Sequence, residues 1–180
     1  MSEKYLVTII LGTRPEAIKL APVISAFNSC KLIKTRLVVT GQHKEMVDQV
    51  LNTFELKAQN NLEIMLEKQS LSHISTSTLK GLQKEFIEFS PNLVLVQGDT
   101  TTAFISALSA FYQKIPVGHI EAGLRTDNLH DPFPEEVNRR LISQIASLHF
   151  APTENSKMNL IKASVNGIIE VTGNTVIDSL

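Results

Sequence analysis

Leu93 to Arg125, LVLVQGDTTTAFISALSAFYQKIPVGHIEAGLR, reads as one strand-helix-strand unit. Leu93 to Gln97 is a short apolar run of strand type. Gly98-Asp99-Thr100 turns the chain, Thr101 to Gln113 carries a helical pattern, and Val117 to Glu121 forms a second strand. Both strands therefore end in a carboxylate, Asp99 and Glu121. Ligands of an open parallel sheet bind outside the carboxyl ends of its strands, so neighbouring strands of this kind present two acids to one crevice. In outline, that is a catalytic arrangement.

The same alternation extends outward. Further strand candidates are Tyr5 to Leu11, Arg36 to Thr40, Leu148 to Ala151 and Ile168 to Thr172, with Asn60 to Met65 as a short extra one. Helical patterns cover Pro15 to Cys30, Lys44 to Phe54, Leu71 to Phe89, Glu135 to Ala146 and Glu154 to Lys162. Strands alternating with helices of this length predict an α/β fold, a Rossmann-like parallel sheet with helices on both faces. Near the end, Gly173-Asn174-Thr175 is turn-and-cap chemistry, and Val176 to Leu180 begins a helix. A helix of little more than one turn is not stable alone, so the chain is expected to have been cut, or a longer natural protein to continue past Leu180.

The composition narrows the partners. At 180 residues, 43% hydrophobic and 19% charged, with mean hydropathy +0.05, the chain suits a single soluble globular domain and argues against disorder or a membrane span. A net charge of −1 gives no general attraction to nucleic acid or an anionic membrane, so any anion must be held locally. Cys30 is the single cysteine, which excludes an internal disulfide framework or a thiolate metal cage and suits a reducing compartment. The run Tyr5 to Leu11 lacks a following cleavage site, so it is expected to be a buried strand of a cytoplasmic protein. There is no repeat, low-complexity tract or linker.

The first strand runs into Gly12-Thr13-Arg14-Pro15-Glu16. Thr13 with Glu16 matches a capping box, and Pro15 suits a first helical turn. Arg14 and Lys19 follow, and two readings stand: Lys19 pairs with Glu16 while Arg14 is merely exposed, or both cations join free N–H groups in an anion site. Neither a GxGxxG nor a Walker sequence is present. Asp99 by itself reads rather better as a helix N-cap than as a catalytic acid. Glu121, closing an apolar strand, lies where burial would raise its pKa for proton transfer. His119 shares its strand face but is better explained as a satisfied core histidine.

In Asn128 to Arg139, NLHDPFPEEVNR, Glu135 and Glu136 would favour the helix dipole without any other duty. A metal set from Asp99, His119, Glu121, His130 and Asp131 has no spacing to support it, and no metal is expected. Lys80, Lys84, Glu85 and Glu88 read as a solvated helix face. Gln42-His43 follows the second strand at the same sheet edge as the other candidates.

The ordered set GTRPEAIK, TGQHKEM, VQGDTTT, GHIEAGLR, PFPEEVNR and TGNTVIDSL closely resembles the non-hydrolysing UDP-N-acetylglucosamine 2-epimerases of bacteria, over the whole chain. The resemblance implies a GT-B-like architecture of two Rossmann-like domains with the active site between them. It places residues 1–172 as the N-terminal domain and 173–180 as the start of the connection to a second domain. It implies a homodimer with no cofactor, interconverting UDP-GlcNAc and UDP-ManNAc as precursors of cell-surface polysaccharide. By motif, Asp99, Glu121 and Glu135 resemble the family's catalytic carboxylates, and Arg14 and Lys19 its substrate-contacting cations. Gln42 and Glu45 fall near a second, regulatory UDP-GlcNAc site of some members. Glu45 stands where at least some relatives carry glutamine, which weakens the case for regulation here. The family's catalytic histidine and most uridine-diphosphate contacts belong to the second domain, so this chain alone is expected to be weakly active or inactive.

The family's chemistry explains the acids. The sugar's C2 proton is not adjacent to a carbonyl, and UDP is thought to leave C1 as that proton is removed, giving a 2-acetamidoglucal that then takes back proton and UDP. An acid and a base on opposite sides of one ring are needed, with cations for the diphosphate. Alternatives of the same class are an epimerase for another UDP-amino sugar or a GT-B glycosyltransferase. From another class comes an inactive nucleotide-sugar-binding or dimerisation module. A receiver-type phosphoacceptor domain fits poorly, because the first strand ends in Thr-Arg-Pro rather than an acidic pair.

Overall fold

The computed structural model describes residues 4–41, 44–66 and 69–179. Among the described residues, seven strands form one sheet in the order β3-β2-β1-β4-β5-β6-β7, and each neighbouring pair is parallel. They are β1 (Tyr5–Leu11), β2 (Ile33–Val39), β3 (Asn60–Asn61), β4 (Leu93–Gln97), β5 (Val117–Ile120), β6 (Leu148–Ala151) and β7 (Ile168–Val171). The helices are α1 (Arg14–Ser29), α2 (Lys44–Thr53), α3 (Leu71–Phe89), α4 (Thr101–Tyr112), α5 (Glu135–Ile145) and α6 (Glu154–Lys162). The expected Rossmann-like architecture is the observed one.

Period-two alternation divides the core. Val7, Ile9 and Leu11 of β1 pack with Leu37, Val39 and Leu95 against Ala17, Leu20 and Ile24 of α1 and Val47, Val50 and Leu51 of α2. Ile10, Val38, Val94 and Val96 point the other way, to Leu82 and Phe86 of α3, Ala103, Ala107 and Ala110 of α4, and Ile142 of α5. The central strands are thus apolar on both faces, as a parallel sheet covered by helices requires.

Several expected boundaries move. β2 starts at Ile33 rather than Arg36, pairing Ile33 with Tyr5, and the candidate Asn60 to Met65 contracts to two residues. β5 stops at Ile120, one residue short, because Glu121 adopts a left-handed φ of 64° that no strand accommodates. The terminal helix is a 3-10 turn, Thr175–Ser179. Glu85 does not belong to a solvated face: it is 3% exposed, taking hydrogen bonds from Arg36 Nε and, at 2.8 Å, from Asn60 Nδ2. Lys80, Lys84 and Glu88 around it are exposed.

Candidate active site at the carboxyl edge of the sheet

Strand order reverses between β1 and β4, so the turns that follow them face each other at a topological switch point. The approach is close. A Cβ on Gly12 would lie 2.6 Å from Thr40 Oγ1 and 2.9 Å from Thr102 Oγ1, so glycine lets the β1–α1 turn press against α4.

Glu16 ties these turns together. Its Oε2 accepts from Gly12 N (2.8 Å), Thr13 N (2.7 Å) and Thr13 Oγ1 (2.9 Å), and its Oε1 from Thr100 Oγ1 (2.6 Å) at the start of α4. The capping box is therefore present, with an added bond across the sheet. Burial raises the Glu16 pKa, opposed by those bonds from Thr100, Gly12 and Thr13. The Gly12 and Thr13 N–H groups, just before α1, already serve Glu16. Arg14 is exposed at the same edge, its side chain without a hydrogen bond or ion pair among the described residues.

Lys19 does not pair with Glu16. Its Nζ donates to both carboxylate oxygens of Glu121, at 2.7 and 2.6 Å. Gln97 Nε2 adds a bond to Glu121 Oε2 (2.6 Å), and Asn174 Nδ2 one to Oε1 (3.1 Å). Just beyond, Gly123 has φ +90°, and a Cβ there would lie 2.2 Å from the Ser156 carbonyl oxygen, so the glycine of the motif is a steric requirement.

Asp99 is not the cap of α4. Thr100 is, accepting from Ala103 N at 3.0 Å. The freed Asp99 carboxylate pairs with Arg139 Nη2 at 2.7 Å, while Asn138 Nδ2 donates to the Asp99 carbonyl oxygen at 2.9 Å. Burial raises the Asp99 pKa, the Arg139 charge opposes the rise, the Glu121 and Glu135 charges add to it, and Lys19 opposes it. Glu121, Glu135 and Lys19 thus all act on the Asp99 carboxyl.

Neighbouring titratable groups have structural duties. His119 is fully buried with Nε2 2.7 Å from the Gly98 carbonyl oxygen, and burial, opposed by that hydrogen bond, lowers its pKa to about 4. It is a neutral core histidine bracing the Gly98-Asp99 turn. Glu136 is buried and accepts from Arg140 Nε (2.6 Å) and Thr126 N (3.0 Å). Burial pushes its carboxyl up, but these bonds and the Arg140 and Arg139 charges prevail, and its pKa is lowered. Glu135, its neighbour on α5, is partly exposed, and its charge acts on Asp99. His130 and Asp131 lie exposed on the loop before α5, and among the described residues no three His, Cys, Asp or Glu side chains form a metal-binding group. Gln42 and His43 fall outside the described residues, and Glu45 is exposed on the first turn of α2.

Residues 25–180 match the family model described as UDP-N-acetylglucosamine 2-epimerase. The chain belongs to the UDP-N-acetylglucosamine 2-epimerase family. It is 55% identical over 175 residues to the UDP-N-acetylglucosamine 2-epimerase of Neisseria meningitidis, covering 97% of this chain and 47% of that protein. Against the Campylobacter jejuni enzyme it is 51% identical over 176 residues, covering 97% and 46%. It thus spans just under half the length of these relatives. The crystal structure of the N. meningitidis enzyme bound to UDP-GlcNAc matches with a TM-score of 0.93 at 54% identity, over 97% of this chain and 47% of that one. That of Methanocaldococcus jannaschii, in complex with UDP-GlcNAc and UDP, matches with 0.91 at 37% identity, over 97% and 48%.

In this member of the epimerase family, the residues that sequence reasoning missed are those holding the acids: Gln97, Arg139, Asn138 and Asn174. Gln97 had a signal, a polar residue closing an apolar strand. Arg139 had one too, four residues after Glu135 and hence on its helix face. Asn174 had none beyond its place in TGNTVIDSL.

Proposed function

We propose that this chain supplies the carboxylate-bearing half of an enzyme that epimerises UDP-GlcNAc to UDP-ManNAc, residues 1–172 being its N-terminal Rossmann-like domain. The observation that supports it is the Lys19–Glu121 pair at the switch point, with the Glu121, Glu135 and Lys19 charges all acting on Asp99. In this reading one carboxylate takes the C2 proton while the C1–O bond breaks and its electron pair leaves with UDP, forming a C1–C2 double bond. Protonation of C2 from the opposite face and return of a diphosphate oxygen to C1 complete the change, with no net redox. Arg14 and Lys19 hold the diphosphate, and Arg139 tunes Asp99. A second, GT-B-type domain closes over the site, and the whole protein works as a cytoplasmic homodimer supplying polysaccharide precursors.

Joining the chain to the C-terminal half of the N. meningitidis relative and incubating it with UDP-GlcNAc in deuterated water tests this. UDP-ManNAc carrying deuterium at C2 is expected, while the 180-residue chain alone turns over weakly or not at all. Sugar transfer to an acceptor, or no C2 exchange in the joined protein, would overturn the proposal.

A further inference from the structure

Three segments hold the Glu121 carboxylate: α1 through Lys19, β4 through Gln97, and the stretch after β7 through Asn174. Asn174 has little freedom in how it does so. Its Oδ1 accepts from Val176 N at 3.1 Å and its carbonyl oxygen from Ile177 N at 3.1 Å, folding the chain into the 3-10 turn. With Oδ1 committed to a backbone donor, the amide can present only Nδ2 to Glu121. The turn is anchored again at its far end, where Ser179 Oγ donates to the Ile18 carbonyl oxygen at 2.7 Å, next in the chain to Lys19. The segment leaving β7 is therefore fastened on both sides of the Lys19–Glu121 pair.

We infer that Asn174 is a positioning residue for Glu121, fixing the direction of its carboxylate and making that direction depend on the path of the chain beyond β7. The inference deepens the epimerase reading and rests on it for the catalytic consequence. Glu121 sits on a left-handed residue directly after a strand, so its side chain is not aligned by strand geometry and needs outside donors to define it. Lys19 supplies charge on a flexible stem with rotatable donors, whereas an amide locked at its oxygen supplies direction.

Asn174→Asp is the informative variant, since it keeps an acceptor for Val176 N and replaces the donor facing Glu121 with a second carboxylate oxygen. On the 180-residue chain, carbon and nitrogen NMR should show the Glu121 carboxyl resonance displaced and the Val176 amide in place. In the protein joined to the N. meningitidis C-terminal half, kcat should fall at least tenfold with KM within twofold of the parent. Asn174→Ser, which keeps a turn acceptor but cannot reach Glu121, should show the same split and serves if the Asp variant does not fold. An unmoved Glu121 resonance, or parental kcat in these variants, overturns the inference and leaves Asn174 as a turn former. If the unsubstituted joined protein shows no C2 exchange, the epimerase reading fails and the catalytic consequence with it; the NMR result then decides the contact on its own.

Discussion

Lys19 Nζ reaches both oxygens of Glu121, at 2.7 and 2.6 Å, joining residues 102 positions apart. The ammonium read from sequence as a partner for a helix neighbour or a phosphate is already committed to an acid. Lys19 therefore acts directly on the charge of Glu121. Replacing it with methionine removes the charge and keeps most of the stem. In the joined enzyme, Lys19→Met should lower kcat/KM on the order of 100-fold, in line with loss of a positioned charged group. Steady-state kinetics with UDP-GlcNAc decide it, and a change below threefold would remove Lys19 from the site.

Arg139 opposes the upward effect of burial on Asp99. Without the guanidinium, desolvation and the Glu121 and Glu135 charges act with less opposition, so Arg139→Met should raise the Asp99 pKa further. A carboxyl-carbon NMR titration of Asp99 reads this directly. A downward move would show that the pair seen at 2.7 Å does not control its ionisation.

Glu16 predicts both a stability loss and a pH dependence. Glu16→Ala strands the Gly12 and Thr13 N–H donors in a buried turn, each such loss being worth about 1–3 kcal/mol. Chemical denaturation should thus show a drop of several kcal/mol. Because burial raises the folded-state pKa above 4.5, the folded chain holds this proton more tightly than the unfolded one. Its contribution is present in full below the unfolded value and is lost as pH rises through the folded value. Glu16→Gln should flatten that fall; an unchanged slope would count against it.

His119 acts in the opposite sense. Its pKa falls from 6.5 to about 4 on folding, so its contribution is present above the unfolded value and disappears as pH drops through that window. The loss at the acidic end is roughly 3 kcal/mol. In His119→Gln, whose amide can still donate to the Gly98 carbonyl, unfolding free energy measured from pH 7 to pH 4 should decline less steeply. Equal slopes would show that folding does not shift the ring's pKa.

Local rules were enough for the sheet and for the placing of Asp99 and Glu121 near one edge. Periods of two and 3.6, a capping box and a Gly-Asp-Thr turn act over a few residues, and they placed six of the seven described strands' starts as observed: Tyr5, Asn60, Leu93, Val117, Leu148 and Ile168. The same rules misjudged Asp99 as the cap where Thr100 serves, because adjacent residues compete for the N-cap and only geometry selects between them. They also put Glu85 of α3 in solvent, since its partner Arg36 lies on β2, 49 residues earlier.

What tertiary structure alone decided was the choice of partner. Lys19 had Glu16 three residues away but took Glu121, while Glu16 took Thr100 84 residues on, and Asn174 reached back 53 residues to the same acid. Each choice follows from the strand order, which sets β1, β4 and β5 side by side and turns their carboxyl ends to one edge. A sequence specifies which groups carry charge; the short range of hydrogen bonds and ion pairs leaves their pairing to whichever segments the sheet brings within about 3 Å.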